Sequence, residues 1–287
     1  MDYINSFLCR AVVDWVEVKI QTIKTTNFQT VQRTFREALC LPENINIWVK
    51  AHDANEGGGT CHFSVRIHDV NRYSDIEQKL NFVSAKLPLS ENWLISKIEL
   101  AIDVYCDDPE ATTARLYKFM ANPVSTNRRI YHEGRGTPKA VPRHFESINR
   151  HLSEGWQIAI GNKTDERYQH LYVKDSDTIN GERQAVPKRA RLEIRLSQAA
   201  LPYQTSEGWQ QCKFERLADY FRQRQLKQDL APLIQTMAEA ADQIGERKTR
   251  NRRGGGTRLH SKATKADPIN EAIRQALRDL SKRWKGT

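Results

Sequence analysis

The sequence predicts an α+β fold, a largely antiparallel sheet with helices on one side, and three observations carry that prediction. Apolar and polar residues alternate in many short runs over the first 200 positions, the period-two pattern of half-buried strands. Helical stretches separate only some of these runs, and turn-like segments join the rest, which gives the order β-α-β-β-α-β followed by a helix and a strand-rich stretch. Hydrophobic residues are 39% of the chain and charged residues 28%, the balance of a globular protein.

Each element has its own local reason. Val12, Trp15 or Val16, Val18 and Ile20 alternate with Asp14, Glu17 and Lys19, which predicts a strand over 11–21. Thr26 or Asn27 can cap a helix to about 39, where Phe28, Val31, Phe35 and Leu39 recur at helical spacing until Pro42. Residues 45–50 read as a second strand. Gly57, Gly58 and Gly59 resemble a phosphate loop only superficially, because no G-x-x-x-x-G-K-S/T follows. They read instead as a hairpin turn into a strand over 60–68, with Cys61, Phe63, Val65 and Ile67 on one face. Ser74 caps a helix with Ile76, Leu80, Val83 and Leu87. A strand covers 95–105, and Asp108 with Pro109 starts the next helix. Strands follow over 127–132, 156–161, 167–174 and 190–196. Residues 133–153, rich in Gly, Pro and Arg, read as a loop.

From 206 to 245 the pattern turns helical, with stripes at Phe214, Leu217, Ala218 and Phe221 and again at Leu230, Leu233, Ile234, Met237, Ala241 and Ile244. Residues 247–267 lack periodicity and apolar content and read as a flexible basic linker. Pro268 then opens an amphipathic helix carrying Ile269, Ile273, Leu277 or Leu280, and Trp284. The expected division is a main domain over 1–203, a helical region over 204–245, and a basic linker with a short helix over 246–287.

The formal charge of +10 is concentrated at one end. Residues 246–287 hold 13 Lys/Arg and 4 Asp/Glu, a net +9, which leaves +1 for the preceding 245 residues. A basic arm on a nearly neutral body points to a polyanion such as nucleic acid. The five cysteines are scattered and form no C-x-x-C, as expected of free thiols in a reducing compartment. No apolar run reaches the ~20 residues of a membrane span, and residues 1–8 lack the basic and apolar regions of a secretion signal.

Three strands carry the chemistry. On 98–103, Glu99, Ala101 and Asp103 share a face, so two acids flank a small residue and leave room for a hard cation such as Mg²⁺ or Mn²⁺. On 168–174, Tyr168, His170, Tyr172 and Lys174 share a face. On 191–196, Arg191, Glu193 and Arg195 do. Taken singly, these are also the polar faces of solvent-facing strands. Together they hold the residue set needed to cut a nucleic-acid strand with a tyrosine and a divalent metal. Arg128, Arg129 and Arg167, with Arg252 and Arg253 in the tail, can follow a phosphate backbone.

In sequence order these motifs resemble the Rep_trans-type replication initiation factors, the rolling-circle initiators of certain plasmids and filamentous phages, to which some relaxases are related. The resemblance spans about 11–200 and rests on Glu99, Ala101 and Asp103; Gly161; Arg167, Tyr172 and Lys174; and Arg191, Glu193 and Leu196. It implies a site-specific single-strand DNA nicking and joining enzyme, with Tyr172 as nucleophile, Lys174 beside it, and Glu99, Asp103 and Glu193 holding Mg²⁺ or Mn²⁺. Arg191 joins the expected DNA contacts. Val173 stands where the family has a polar residue, which keeps Tyr168 open as nucleophile or stacking residue. The implied partner is origin DNA, single-stranded or as a cruciform nick site, with a host helicase and a second copy of the chain as further partners and no membrane. The implied setting is the cytoplasm of a bacterial host. A non-catalytic DNA-binding regulator on the same fold and a relaxase for conjugative mobilisation are the alternatives.

Overall fold

The computed structural model describes residues 8–43, 45–90, 93–179, 182–224 and 268–286. Along the chain run β1 (Leu8–Thr26), α1 (Phe28–Ala38), β2 (Val49–His52), β3 (Thr60–Val70), α2 (Tyr73–Lys86), β4 (Leu94–Tyr105), α3 (Pro109–Phe119), β5 (Arg128–His132) and β6 (Arg135–Ala140). They are followed by α4 (Phe145–Ser153), β7 (Gln157–Ile160), β8 (Arg167–Ile179), β9 (Glu182–Ser197), α5 (Ser206–Gln210), a 3₁₀ segment (Phe214–Tyr220) and α6 (Pro268–Lys285). The nine strands form one sheet in the order β2-β3-β1-β4-β9-β8-β7-β5-β6, and every pairing is antiparallel. The α+β class and the antiparallel sheet expected from the sequence are therefore present.

One face of the sheet is apolar and carries the helices. Val13, Val16, Val18 and Ile20 of β1, Phe63, Val65 and Ile67 of β3, Ile98, Leu100 and Ile102 of β4, and Leu192, Ile194 and Leu196 of β9 are buried. They join Val31 and Phe35 of α1, Ile76 and Leu80 of α2, Leu116 of α3 and Ile148 of α4 in one hydrophobic cluster. Each such side chain contributes roughly 1.5–3 kcal/mol on burial. The caps agree with the sequence at α1, where the Asn27 carboxamide accepts from Thr30 N, and at α3, where the Asp108 carboxylate accepts from Ala111 N. At α2 the helix starts earlier than Ser74 predicts. Arg72 is the cap, and its N–H donates to the Asp75 carboxylate.

Two segments differ from expectation. Residues 133–153 are not a loop, because β6 pairs with β5 and α4 buries Phe145, Ile148 and Leu152, a helical stripe short enough to be hidden by its polar surroundings. The stripe at 214–221 is a 3₁₀ segment, whose three-residue turn aligns Phe214 with Leu217. The second predicted stripe, 230–244, and the linker 247–267 lie outside the described residues. The C-terminal helix α6 does not stand apart from the body: it lies against β1 and the 3₁₀ segment, with Ile269, Ile273, Leu277, Leu280 and Trp284 buried. The Trp284 indole donates to the Trp209 carbonyl.

Candidate active site

The opposite face of β1, β4, β9 and β8 is polar, and register lines its side chains up in rows. Trp15, Glu99, Arg195 and Tyr168 stand opposite one another across these four strands. The next row holds Ala101, Glu193 and His170, and the one after holds Arg10, Asp103, Arg191 and Tyr172. The acids of β4, the tyrosines of β8 and the Arg-Glu-Arg of β9 thus share one face. Ala101, wholly buried, supplies the expected space between Glu99 and Asp103.

A one-residue register shift in β1 changes which acids meet. Val13 pairs with Leu100 and Trp15 with Glu99, so Asp14 is an extra residue on this side of the ladder. The core positions of β1 accordingly switch from Ala11 and Val13 to Val16, Val18 and Ile20. Such a bulge lets neighbouring residues face the same way. Asp14 and Trp15 do so, and Asp14 joins Glu99 and Glu193: the three offer carboxylate oxygens that all lie within 4.8 Å of one another.

Asp103 does not belong to that group. Arg191 grips it in bidentate fashion, Nε to Oδ1 at 2.6 Å and Nη2 to Oδ2 at 2.8 Å, and Arg189 lies 3.0 Å away. Arg191 also reaches Asp14 at 2.9 Å. Glu99 accepts from the Trp15 indole at 2.5 Å and from Arg195 at 2.7 Å. Glu193 accepts from the Tyr172 hydroxyl at 2.8 Å through one oxygen and lies 3.2 Å from His170 Nδ1 through the other. His170 Nε2 is in turn 2.9 Å from the Tyr131 hydroxyl. Tyr131, His170, Glu193 and Tyr172 therefore form one continuous chain of polar contacts.

Environment separates the three carboxyls electrically. Burial and the charge of Glu193 push Asp14 and Glu99 above the usual carboxylate range, against Arg191 and Arg195. Burial acts the same way on Glu193, but the hydrogen bond and charge of His170, with Arg191, more than offset it and hold this carboxyl below its usual range. Burial and the adjacent Glu193 charge push the Tyr172 phenol upward, so its hydroxyl keeps its proton at neutral pH. Tyr168, 2% exposed, is raised by burial, and the Arg195 guanidinium lies 5.3 Å from its ring centre.

The cluster opens onto a cleft of about 360 Å³ lined by Asp14, Glu99, Glu193, Tyr168, Tyr172 and Lys174. Lys174 is drawn to Asp177 at 2.7 Å. Of the arginines expected to meet DNA, Arg129 donates to the Gly161 carbonyl and to Asn162, each at 3.1 Å. Arg128 lies 5.8 Å from the Tyr117 ring centre and Arg167 lies 5.9 Å from that of Tyr220. Arg191, 3% exposed, is committed to carboxylates. Arg252 and Arg253 lie outside the described residues. Sequence reasoning did not assign Asp14, Trp15, Tyr131, His170, Arg189 or Arg195 to the site. The jump in β1 from apolar positions 11 and 13 to 16, 18 and 20 was the available signal for Asp14.

Fold and site together define an α+β protein with a tyrosine–carboxylate cleft on the open face of an antiparallel sheet. Among solved structures, the rolling circle replication initiator protein from Geobacillus stearothermophilus is similar over 96% of this chain and 98% of its own, with 13% identity and a TM-score of 0.34. No family model and no curated protein matches the chain.

Proposed function

We propose that the chain is a site-specific DNA nicking and joining enzyme that starts rolling-circle replication of a phage or plasmid through Tyr172. The observation that carries the reading is the 2.8 Å hydrogen bond from the Tyr172 hydroxyl to Glu193, beside two further carboxylates in an open cleft. A phenol is a weak nucleophile until its proton is taken. Glu193, held ionised by His170 and Arg191, is placed to take it. The Tyr172 oxygen then attacks a backbone phosphorus, a P–O bond to tyrosine forms, and the P–O3′ bond breaks. The tyrosine proton goes to Glu193, and the departing 3′-oxygen takes its proton from water. The resulting ester keeps the bond for rejoining, while the free 3′-hydroxyl can prime synthesis.

The donor set fits a hard divalent cation, since Asp14, Glu99 and Glu193 are all oxygen ligands and two of them are pushed toward the protonated form by burial and the charge of Glu193. Bound there, Mg²⁺ or Mn²⁺ would supply positive charge toward the phosphate oxygens. The protein residues do the rest: Trp15 and Arg195 fix Glu99, Arg191 fixes Asp14, and His170 fixes Glu193. On this reading the partner is origin DNA in a bacterial cytoplasm, where a host helicase and a second copy of the chain would act with it. A mobilisation relaxase shares the chemistry and differs in its partners.

One observation favours a non-catalytic DNA-binding sheet: each carboxylate of the cluster already holds an arginine, a tryptophan or a tyrosine. Incubation with supercoiled origin DNA and Mg²⁺ or Mn²⁺ separates the two. The enzyme should relax the DNA and remain covalently attached, and Tyr172→Phe should not. An adduct that persists in Tyr172→Phe but disappears in Tyr168→Phe would move the nucleophile to Tyr168. No adduct with cognate DNA would leave the binding module.

A further inference from the structure

The cleft occupies one end of the open sheet face. Beyond Asp14 and Trp15 of β1, the remainder, over β1, β3 and β2, has no part in the chemistry above, yet it is built in detail. From the β2 end, Trp48, Arg66, Trp15, Arg195 and Tyr168 alternate ring and guanidinium across the strands. The successive guanidinium-to-ring distances are 4.2, 4.4, 5.0 and 5.3 Å. Acids underneath hold the cations in place: Glu17 meets Arg66 at 3.5 Å and Lys97 at 3.1 Å, and Glu99 meets Arg195 at 2.7 Å. The ladder ends at Tyr168, inside the cleft.

Around the ladder the face is basic. Lys19 and Lys50 each stand opposite Ser64, both exposed, and neither is paired with an acid among the described residues. His62 and His68 are exposed on the same face. Beside Lys19, Lys50, Arg66, Lys97 and Arg195 stand Glu17 and Glu99, paired with Arg66, Lys97 and Arg195, and Asp14, held by Arg191. The helices of the described residues pack into the hydrophobic cluster on the other side. From β2 to β8 the path crosses five strand spacings, roughly 24 Å at about 4.8 Å each.

We propose that this half of the sheet is a track that binds single-stranded DNA and leads it into the cleft. The inference rests on the nicking reading and names where the strand lies. Trp15 and Tyr168 are buried and brace the ladder from beneath, so its outer end, Trp48 and Arg66, offers the stacking surface to unpaired bases, and the lysines can follow the backbone. A duplex hides its base faces and would meet only the lysines. Trp48, half-exposed at the outer end of the ladder, is the ring a base can reach, and Arg66 retains 26% side-chain exposure beside it.

The test is fluorescence anisotropy of the full chain with an oligothymidylate of about 16 nucleotides, in EDTA so that no cutting intervenes. Trp48→Ala should weaken binding roughly 5- to 150-fold, the equivalent of about 1–3 kcal/mol for one stacked base, and leave duplex binding unchanged. Lys19→Glu/Lys50→Glu should reduce the salt slope of log K by about 1.4, at about 0.7 per phosphate contact. Unchanged thermal melts check that both variants fold. Wild-type affinity and slope in both would overturn the track, as would equal affinity of the wild type for duplex DNA or heparin. If these binding changes appear but no tyrosyl adduct ever forms, the track stands and the nicking reading falls. If adducts form and the variants bind like wild type, the reverse holds.

Discussion

Asp14→Asn should remove most of the stabilisation that a divalent cation gives the protein, and Asp103→Asn should leave it in place. Asp14 shares the three-carboxylate group with Glu99 and Glu193, whereas Asp103 is locked between Arg189 and Arg191. Burial and the Glu193 charge raise Asp14 above its ordinary 3.8 and Glu99 above its ordinary 4.5. A carboxyl raised by folding stabilises the fold below its unfolded pKa, and that contribution is lost as pH rises through the folded value. Ionising this cluster is therefore a burden on the fold that grows as pH rises and that a bound cation would relieve. At 100 times its dissociation constant a cation adds about 2.7 kcal/mol. At roughly 2–4 °C per kcal/mol for a chain of this size, the melting temperature should rise about 5–10 °C. Scanning fluorimetry with Mg²⁺ or Mn²⁺ reads this directly, and the rise should shrink at pH 5, where protons compete for the oxygens. Asp14→Asn should lose most of the rise while melting no lower than wild type without metal, since it removes a like charge and leaves Arg191 its Asp103 partner. Asp103→Asn should melt lower, by about 3–5 kcal/mol for a broken buried pair, and still respond to the cation. The reverse pattern, with the response kept in Asp14→Asn and lost in Asp103→Asn, would refute the reasoning and restore the ligand set Glu99, Asp103 and Glu193. No response in wild type at millimolar cation would remove the metal site altogether.

Arg191→Met should destabilise by about 3–5 kcal/mol in urea titration, because it strips Asp103 and Asp14 of a buried cation together; a loss under 1 kcal/mol would mean that Arg189 alone neutralises Asp103. Trp284→Ala should cost about 3–5 kcal/mol, since the ring is 1% exposed and its indole bonds the Trp209 carbonyl. A near-neutral result would show that α6 does not pack on the body. Iodoacetamide at pH 8 should label exposed Cys40 and spare Cys9, whose thiol burial pushes up to about 12. Peptide mass mapping of the native protein checks it, and equal labelling would contradict the packing of β1.

Strands were legible where one face is buried, because the period-two signal survives any context. The alternations at 60–68 and 98–103 come out as β3 and β4 with the expected residues inward, and Asp108 with Pro109 marks the start of α3. The site was partly legible for the same reason: parity put Glu99, Tyr172 and Glu193 on polar faces, and pairing made these one face. What the sequence hid is what depends on registration between distant strands. Asp14 enters through a bulge that only the β1–β4 pairing defines. Which of Glu99, Asp103 and Glu193 meets an arginine is decided by cross-strand neighbours on β9, and Asp103 falls opposite Arg191. The 21 residues from 133 to 153 read as loop because α4 shows only Phe145, Ile148 and Leu152 to the core, and a nine-residue helix is too short for a strong periodic signal.

On the nicking proposal, the preference for Tyr172 over Tyr168 rests on that same registration. Tyr172 stands opposite Arg191 on β9, within reach of Glu193 one row away, and its hydroxyl donates to that carboxylate. Tyr168 stands opposite Arg195, whose charge is shared with Glu99 and Trp15, so its ring belongs to the aromatic ladder rather than to the acid cluster. A raised phenol is a poor resting nucleophile but a suitable one when its base is already hydrogen-bonded and ionised. Glu193 meets that condition, because His170 and Arg191 hold it below the usual range while Asp14 and Glu99 are driven above it. Divergence of neighbouring carboxyls is the pattern that separates a proton acceptor from its companions. On the nicking proposal, it makes Glu193 the acceptor of the Tyr172 proton, and leaves Asp14 and Glu99 as the pair that would gain most from a cation.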